Sequence, residues 1–196
     1  MCKGIDEVLR YMRTSRKEPD EQTLQLAREA IDEIASLAVP RYVVEIFSKE
    51  KLSCIENSDS GASDNCSETG NDLVVLKTPY GAEEFRSKRL CEFLDGYDRV
   101  GVFCATLGLE VDRAIEFASH VSAAKSMALQ AAAAARIESL CDEICERRFS
   151  PGYYDLDVSN QQKIFRMLDV EHRIGVKLTS AFEMVPLKSV SALFGV

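Results

Sequence analysis

The chain has 196 residues, 46% of them hydrophobic, enough for one domain, or a large domain with an excursion, built on a real core. Its 32 acidic residues outnumber the 24 basic ones for a net charge of −8. No basic run could neutralise a phosphate backbone, so nucleic acid and anionic membrane are poor partners, whereas a basic protein or a cationic ligand suits the overall field. No apolar stretch approaches the roughly 20 residues that a bilayer span requires, and MCKGIDEVLRYMR at the N-terminus lacks the apolar core of a signal peptide, so the expected location is cytoplasmic.

In chain order, Ile5, Val8, Leu9 and Met12 share one face of a short helix over 4–13. A second helix over 20–38 begins after Pro19, carries Leu24, Ala27, Ile31, Ile34 and Leu37 as its stripe, and ends before Pro40. The β-branched and aromatic run YVVEIF (42–47) predicts a strand. Residues 53–72 then hold five acidic residues, no Lys or Arg, and many Ser, Asn and Gly. Such a segment has too little apolar area to offset the entropy of ordering, and reads as a flexible acidic loop or, alternatively, a lid. LVVLKT (73–78) resumes the sheet beside 42–47, a helix is expected at about 82–95, and the apolar run 99–108 is a buried strand. Thr106 and Gly108 mark a turn into a helix over 109–120, which reads as structural, although a strand, a glycine turn and a helix can also cradle an anion.

The longest helix is expected over 121–147, where the run Ala131 to Ala135 lets a neighbouring backbone or a ligand lie close. Glu138 and Asp142 stand four apart on one face, a pairing that is locally unfavourable. Either both are solvated or a cation bridges them. The helix then runs into Arg147-Arg148-Phe149-Ser150-Pro151-Gly152-Tyr153. Pro151 disfavours helix at Ser150, and Gly152 opens backbone angles closed to other residues. Such a turn can hold the planar donor fork of Arg148 and the ring of Tyr153 in fixed directions suited to a small zwitterion, or it can simply end the helix with Arg148 capping the last carbonyls. A helix over 159–172 and short strands around 175–179, 182–185 and 188–195 complete the chain.

The seven cysteines (2, 54, 66, 91, 104, 141 and 145) are odd in number and irregular in spacing, which suggests free thiols rather than a disulfide framework. Cys141 and Cys145 look like half a metal site, but with only His120 and His172 elsewhere no ligand set has recognisable spacing, and buried thiols are the better reading. No Ser-His-Asp or Cys-His arrangement can be assigned either, so no catalytic residue is expected.

From Arg148 onward the sequence resembles the activation domain of cobalamin-dependent methionine synthase. The resemblance rests on Arg148-x-x-Pro151-Gly152-Tyr153, a following helix ending in Leu168-Asp169, Gly175-x-x-Leu178-Thr179, Met184-x-Pro186 and Ser189-Val190-Ser191. It differs from the family in Tyr154-Asp155-Leu156-Asp157-Val158 after the turn and in Thr179-Ser180-Ala181. The resemblance implies an α+β fold, a twisted and mostly antiparallel sheet flanked by helices, formed by residues 1–196 as a single domain. It further implies binding of S-adenosylmethionine, with Arg148 on the ligand carboxylate, the main chain around Ser150, Pro151 and Gly152 meeting its polar atoms, Tyr153 flanking it, and Glu138 or Asp142 as an acidic contact. In that family the domain caps cobalamin oxidised to the cob(II) state, and one electron from a flavodoxin-like donor together with the methyl group of S-adenosylmethionine restores the methylated cofactor. The expected role is therefore an activation subunit for a separate cobalamin-binding methionine synthase or other corrinoid protein. The alternative is a non-catalytic module that binds S-adenosylmethionine or docks on a corrinoid protein as a regulator.

Overall fold

The computed structural model describes residues 4–12, 19–50, 72–79 and 81–196. Helix α1 (Ile5–Tyr11) buries Val8 and Leu9, and α2 (Glu21–Leu37) buries Ala27, Ala30 and Ile34. The start of α2 is set by Asp20, whose carboxylate accepts from the Thr23 amide at 2.8 Å and satisfies a donor the helix cannot. Strand β1 (Arg41–Lys49) pairs along nearly its whole length with β4 (Arg99–Thr106), from Arg41 opposite Thr106 to Ser48 opposite Arg99. Strand β2 (Leu73–Thr78) joins β1 through Ser48–Lys77 and Lys49–Leu76. The loop expected over 53–72 lies outside the described residues except for Asp72, whose carbonyl accepts from the Ser87 amide at 2.8 Å, and Cys54 and Cys66 lie outside them too.

One expectation fails here. Instead of a helix over 82–95, Gly81–Arg86 is strand β3, paired with β2, and only Lys88–Phe93 is helical (α3). Ala82, Glu83 and Glu84 have weak strand preference, but pairing places Phe85 opposite Val74 and buries its ring completely, and tertiary burial overrides local propensity. Ser87 then caps α3, its hydroxyl accepting from the Leu90 amide at 2.9 Å.

Gly108, at φ 91, leads from β4 into α4 (Leu109–Val121), its amide donating to the Thr106 hydroxyl at 3.1 Å. Helix α5 (Ala123–Ile144) is capped by Ser122 and ends three residues short of expectation. A single 3₁₀ turn (Val158–Asn160) enters α6 (Gln161–Leu168), and α7 (Val170–Ile174) follows. The helix expected over 159–172 is thus broken at Asp169, which sits in the left-handed region at φ 49. Strands β5 (Lys177–Leu178) and β6 (Met184–Val185) form a two-stranded ribbon, and β7 (Ser189–Gly195) pairs with β4.

Among the described residues the main sheet runs β3-β2-β1-β4-β7, every pair antiparallel, with helices on both faces, the α+β architecture expected. Phe103, Ala105 and Ala192 face one core with α1, α2, α4 and α5. Val43, Val102, Cys104 and Leu193 face the other with α3, α6 and α7. The alanine run of α5 serves the first core, where its small side chains let helices pack closely. Strand β7 is an edge, and the cavity described next opens there.

Candidate ligand-binding site

Helix α5 stops at Cys145, whose backbone is extended at φ −160 and ψ 139 and whose amide still donates to the Cys141 carbonyl. Released from the helix, Arg148 folds back along it. Its guanidinium donates to the Asp142 carboxylate at 2.8 Å and to the Cys145 carbonyl at 3.2 Å, and its second terminal nitrogen meets the Glu138 carboxylate. The cation between the two carboxylates is therefore Arg148 itself. Its side chain is 15% exposed; this burial opposes the charge, but the hydrogen bond and charge of Asp142 and the charge of Glu138 raise its pKa overall.

Phe149 next bridges the free edge of β7. Its amide donates to the Leu193 carbonyl at 2.8 Å, and the Leu193 amide returns the bond at 2.9 Å. Antiparallel register would set Pro151 opposite Ser191, and proline has no amide to continue the ladder. The chain turns instead. Gly152 adopts φ 90, and its amide donates to the Leu156 carbonyl at 2.7 Å. Tyr154, at φ 52, stands 83% exposed beside Tyr153 at 64%. Asp155 then accepts from the Ser87 hydroxyl at 2.5 Å and the Lys88 amide at 2.7 Å, strapping the turn to the start of α3. Aromatic contacts continue the strap: Phe93 lies 5.6 Å from Phe149, Phe149 lies 5.9 Å from Tyr154, and the Arg147 guanidinium sits 5.7 Å from the centre of the Phe93 ring.

These pieces enclose a cavity of about 620 Å³. Of the residues singled out from sequence, Glu138, Arg148, Ser150, Pro151 and Tyr153 line it. Asp142 reaches it through its bond to Arg148, and Gly152 shapes the turn, its amide already engaged with Leu156. Sequence reasoning missed Phe93, Glu146, Arg147, Tyr154 and Gln161 as lining residues. It noticed Met184 and Ser189-Val190-Ser191 as motifs without placing them in the site; they form an uncharged wall of it. The only sequence signal for that wall was the motif itself.

Charge is segregated within the cavity. Glu138, Glu146, Arg147 and Arg148 all come from the end of α5 and the segment after it, whereas the wall of Gln161, Met184 and Ser189 to Ser191 is uncharged. With Asp142 behind Arg148, three carboxylates face two guanidinium groups, which favours a ligand with net positive charge. Cys104 and Cys141 are not nucleophiles here: burial pushes their thiols up to about 12, so both stay protonated at neutral pH. Cys91, Cys104, Cys141 and Cys145 are free thiols. Among the described residues no group of three His, Cys, Asp or Glu is placed to hold a metal, and no helix is long and apolar enough to cross a membrane.

Fold and site together define an α+β module in which one edge of the sheet opens into a charged cavity. Residues 144–196 match the model of the vitamin B12 dependent methionine synthase activation domain. Among solved structures the chain is similar to the MetH reactivation domain bound to AdoHcy, at 18% sequence identity and a TM-score of 0.62, with 98% of this chain and 76% of that chain covered. At that identity the likeness is one of fold. No curated protein matches the chain. The chain thus resembles the activation domain of cobalamin-dependent methionine synthase: the family model covers the segment holding Arg148, Ser150, Pro151, Gly152 and Tyr153, and the fold extends the likeness over nearly the whole length.

Proposed function

We propose that the cavity binds S-adenosylmethionine and that the chain presents this ligand to a corrinoid held by a cobalamin-dependent methionine synthase or another corrinoid protein. The observation that supports this most is the position of the cavity. It is built around Arg148 to Tyr153, inside the segment that matches the activation-domain model. A volume of about 620 Å³ lies in the range of small-molecule sites. The ligand carries a carboxylate, an ammonium and a sulfonium, a net positive charge that complements the excess carboxylate of the site. Arg148 orients the carboxylate, while Glu138 and Asp142, now bridged by Arg148, turn toward the ammonium when the ligand's own charges enter. Tyr153 and Tyr154, exposed at the rim, cover the ligand and exclude water.

A corrinoid on the partner supplies the cobalt that accepts one electron, from a flavodoxin-like reductant, and the methyl group of the sulfonium, which departs as S-adenosylhomocysteine. The residues of this chain bind, orient and shield. Calorimetry should show S-adenosylmethionine binding, and Arg148→Ala should weaken it about 10- to 150-fold, the loss of a charge-assisted pair of about 1.5–3 kcal/mol. Mixed with a cob(II) corrinoid protein, a reductant and S-adenosylmethionine, the chain should speed recovery of the methylated corrinoid spectrum. Equal rates without the chain would reduce its role to regulatory binding, and absence of ligand binding would refute the reading altogether.

A further inference from the structure

Two side-chain oxygens are buried without a hydrogen-bond partner, Oε1 of Gln161 and Oγ of Ser191, and both residues line the same cavity. Gln161 is 8% exposed and Ser191 2%. The contrast with their neighbours is informative. Ser189, two residues before Ser191 on the same face of β7, has its hydroxyl between the Pro186 carbonyl at 2.6 Å and the Thr106 hydroxyl at 2.9 Å. Asn160, just before Gln161, donates to the Asp157 carbonyl at 2.9 Å. Folding alone therefore satisfies the adjacent polar side chains and leaves these two unsatisfied. A buried orphan of this kind destabilises the unliganded protein, and an apolar residue of similar shape would not. A half-turn of the Gln161 amide exchanges its oxygen and nitrogen, and a change of Ser191 rotamer swings its hydroxyl, so a ligand can bring both oxygens into bonds.

Both belong to the uncharged part of the lining, on α6 and β7, whereas the charged lining residues come from the end of α5 and the segment after it. From this placement we infer that Gln161 and Ser191 form a neutral hydrogen-bonding subsite that reads the nucleoside half of the ligand and sets specificity for it over a free amino acid. The inference rests on the proposed function, since it needs a ligand that joins a charged amino-acid end to a polar, uncharged one. Donors on the ligand, either sugar hydroxyls or the amino group of the base, satisfy Gln161, and Ser191 can donate or accept.

The test uses the full chain with S-adenosylhomocysteine as probe and compares wild type with Gln161→Met and Ser191→Ala. Each variant should bind about 5-fold more weakly, while its unliganded melting temperature stays the same or rises, because an orphan has been removed. Analogues of the same thioether lacking the 2′-hydroxyl or the 6-amino group identify the source: the analogue without the group that is read should bind wild type and Gln161→Met alike. Unchanged affinity in both variants overturns the subsite and leaves the proposed function standing. A fall in unliganded stability in both variants also overturns it, since that marks ordinary structural bonds. If wild type fails to bind S-adenosylhomocysteine and S-adenosylmethionine, the functional reading fails and the subsite with it.

Discussion

Arg148 shows how one residue can organise a site that its neighbours make unstable. Glu138 and Asp142 are adjacent carboxylates near a helix C-terminus, where both their mutual repulsion and the helix dipole oppose them. The guanidinium fork joins them, a geometry that a lysine ammonium cannot reproduce. Arg148→Ala should therefore lower stability by about 1–2 kcal/mol, a reduced figure because both carboxylates remain partly solvated, and Arg148→Lys should recover only part of it in denaturant titrations. If Arg148→Ala is as stable as wild type, the triad contributes nothing. The cysteines allow a second check at this scale. Cys104 and Cys141 are fully buried, with thiols pushed up to about 12, whereas Cys91 and Cys145 are only half-buried. Under native conditions near pH 8, alkylation read by mass spectrometry should label Cys91 and Cys145 well before Cys104 and Cys141.

Among the elements, the turn after Tyr153 is held by its own carboxylate. Asp155 is exposed, and what burial it has opposes its charge, but the Ser87 hydroxyl and the amides of Arg89 and Lys88 hold its carboxyl below the usual carboxylate range. A depressed folded pKa means that the stabilisation is present above the unfolded value of about 3.9 and lost as pH falls through the folded one. Asp155→Asn should thus weaken ligand binding at neutral pH by loosening the rim, and should flatten the loss of stability below about pH 4. An acid melting profile identical to wild type would count against the strap. A second element-level device sits where β4 meets β7. Gly101 lies opposite Phe194, and a Cβ there would fall 2.2 Å from the ring. Since Phe194 also packs on Phe103 at 6.2 Å, the ring cannot yield freely. Gly101→Ala should cost about 1–3 kcal/mol, measured by thermal or denaturant unfolding, and the cost should shrink in combination with Phe194→Leu.

For the molecule as a whole, β4 is the shared wall of two cores. Val100 to Thr106 are all buried, Phe103 and Ala105 facing one helical layer and Val102 and Cys104 the other, and both strand edges are paired. Neither layer can open without exposing β4, so its amides should exchange most slowly with solvent, and those of the Tyr153–Tyr154 turn among the fastest. Faster exchange in β4 than in α5 would mean that the layers unfold independently.

What the sequence determined by itself is what depends on near neighbours. Asp20 and Pro40 bound α2, the β-branched run around Val43 and Val44 forms a strand, and Pro151-Gly152 turns the chain. Each follows from local dihedral limits, capping and apolar period, and the motifs around Arg148 pointed to the segment that builds the cavity. Only the tertiary structure decided what depends on distant partners. Glu83-Glu84-Phe85 became a strand because β2 offered Val74 to Phe85. Arg148 became the cation between Glu138 and Asp142 because the chain folded back on α5. Gln161 and Ser191 became one wall because β7 lies at the sheet edge with its Leu193 face toward α6. A side chain's rotamer and period are local, but which face meets which is set by sheet order and by the cooperative burial of both cores, and no window of sequence contains that.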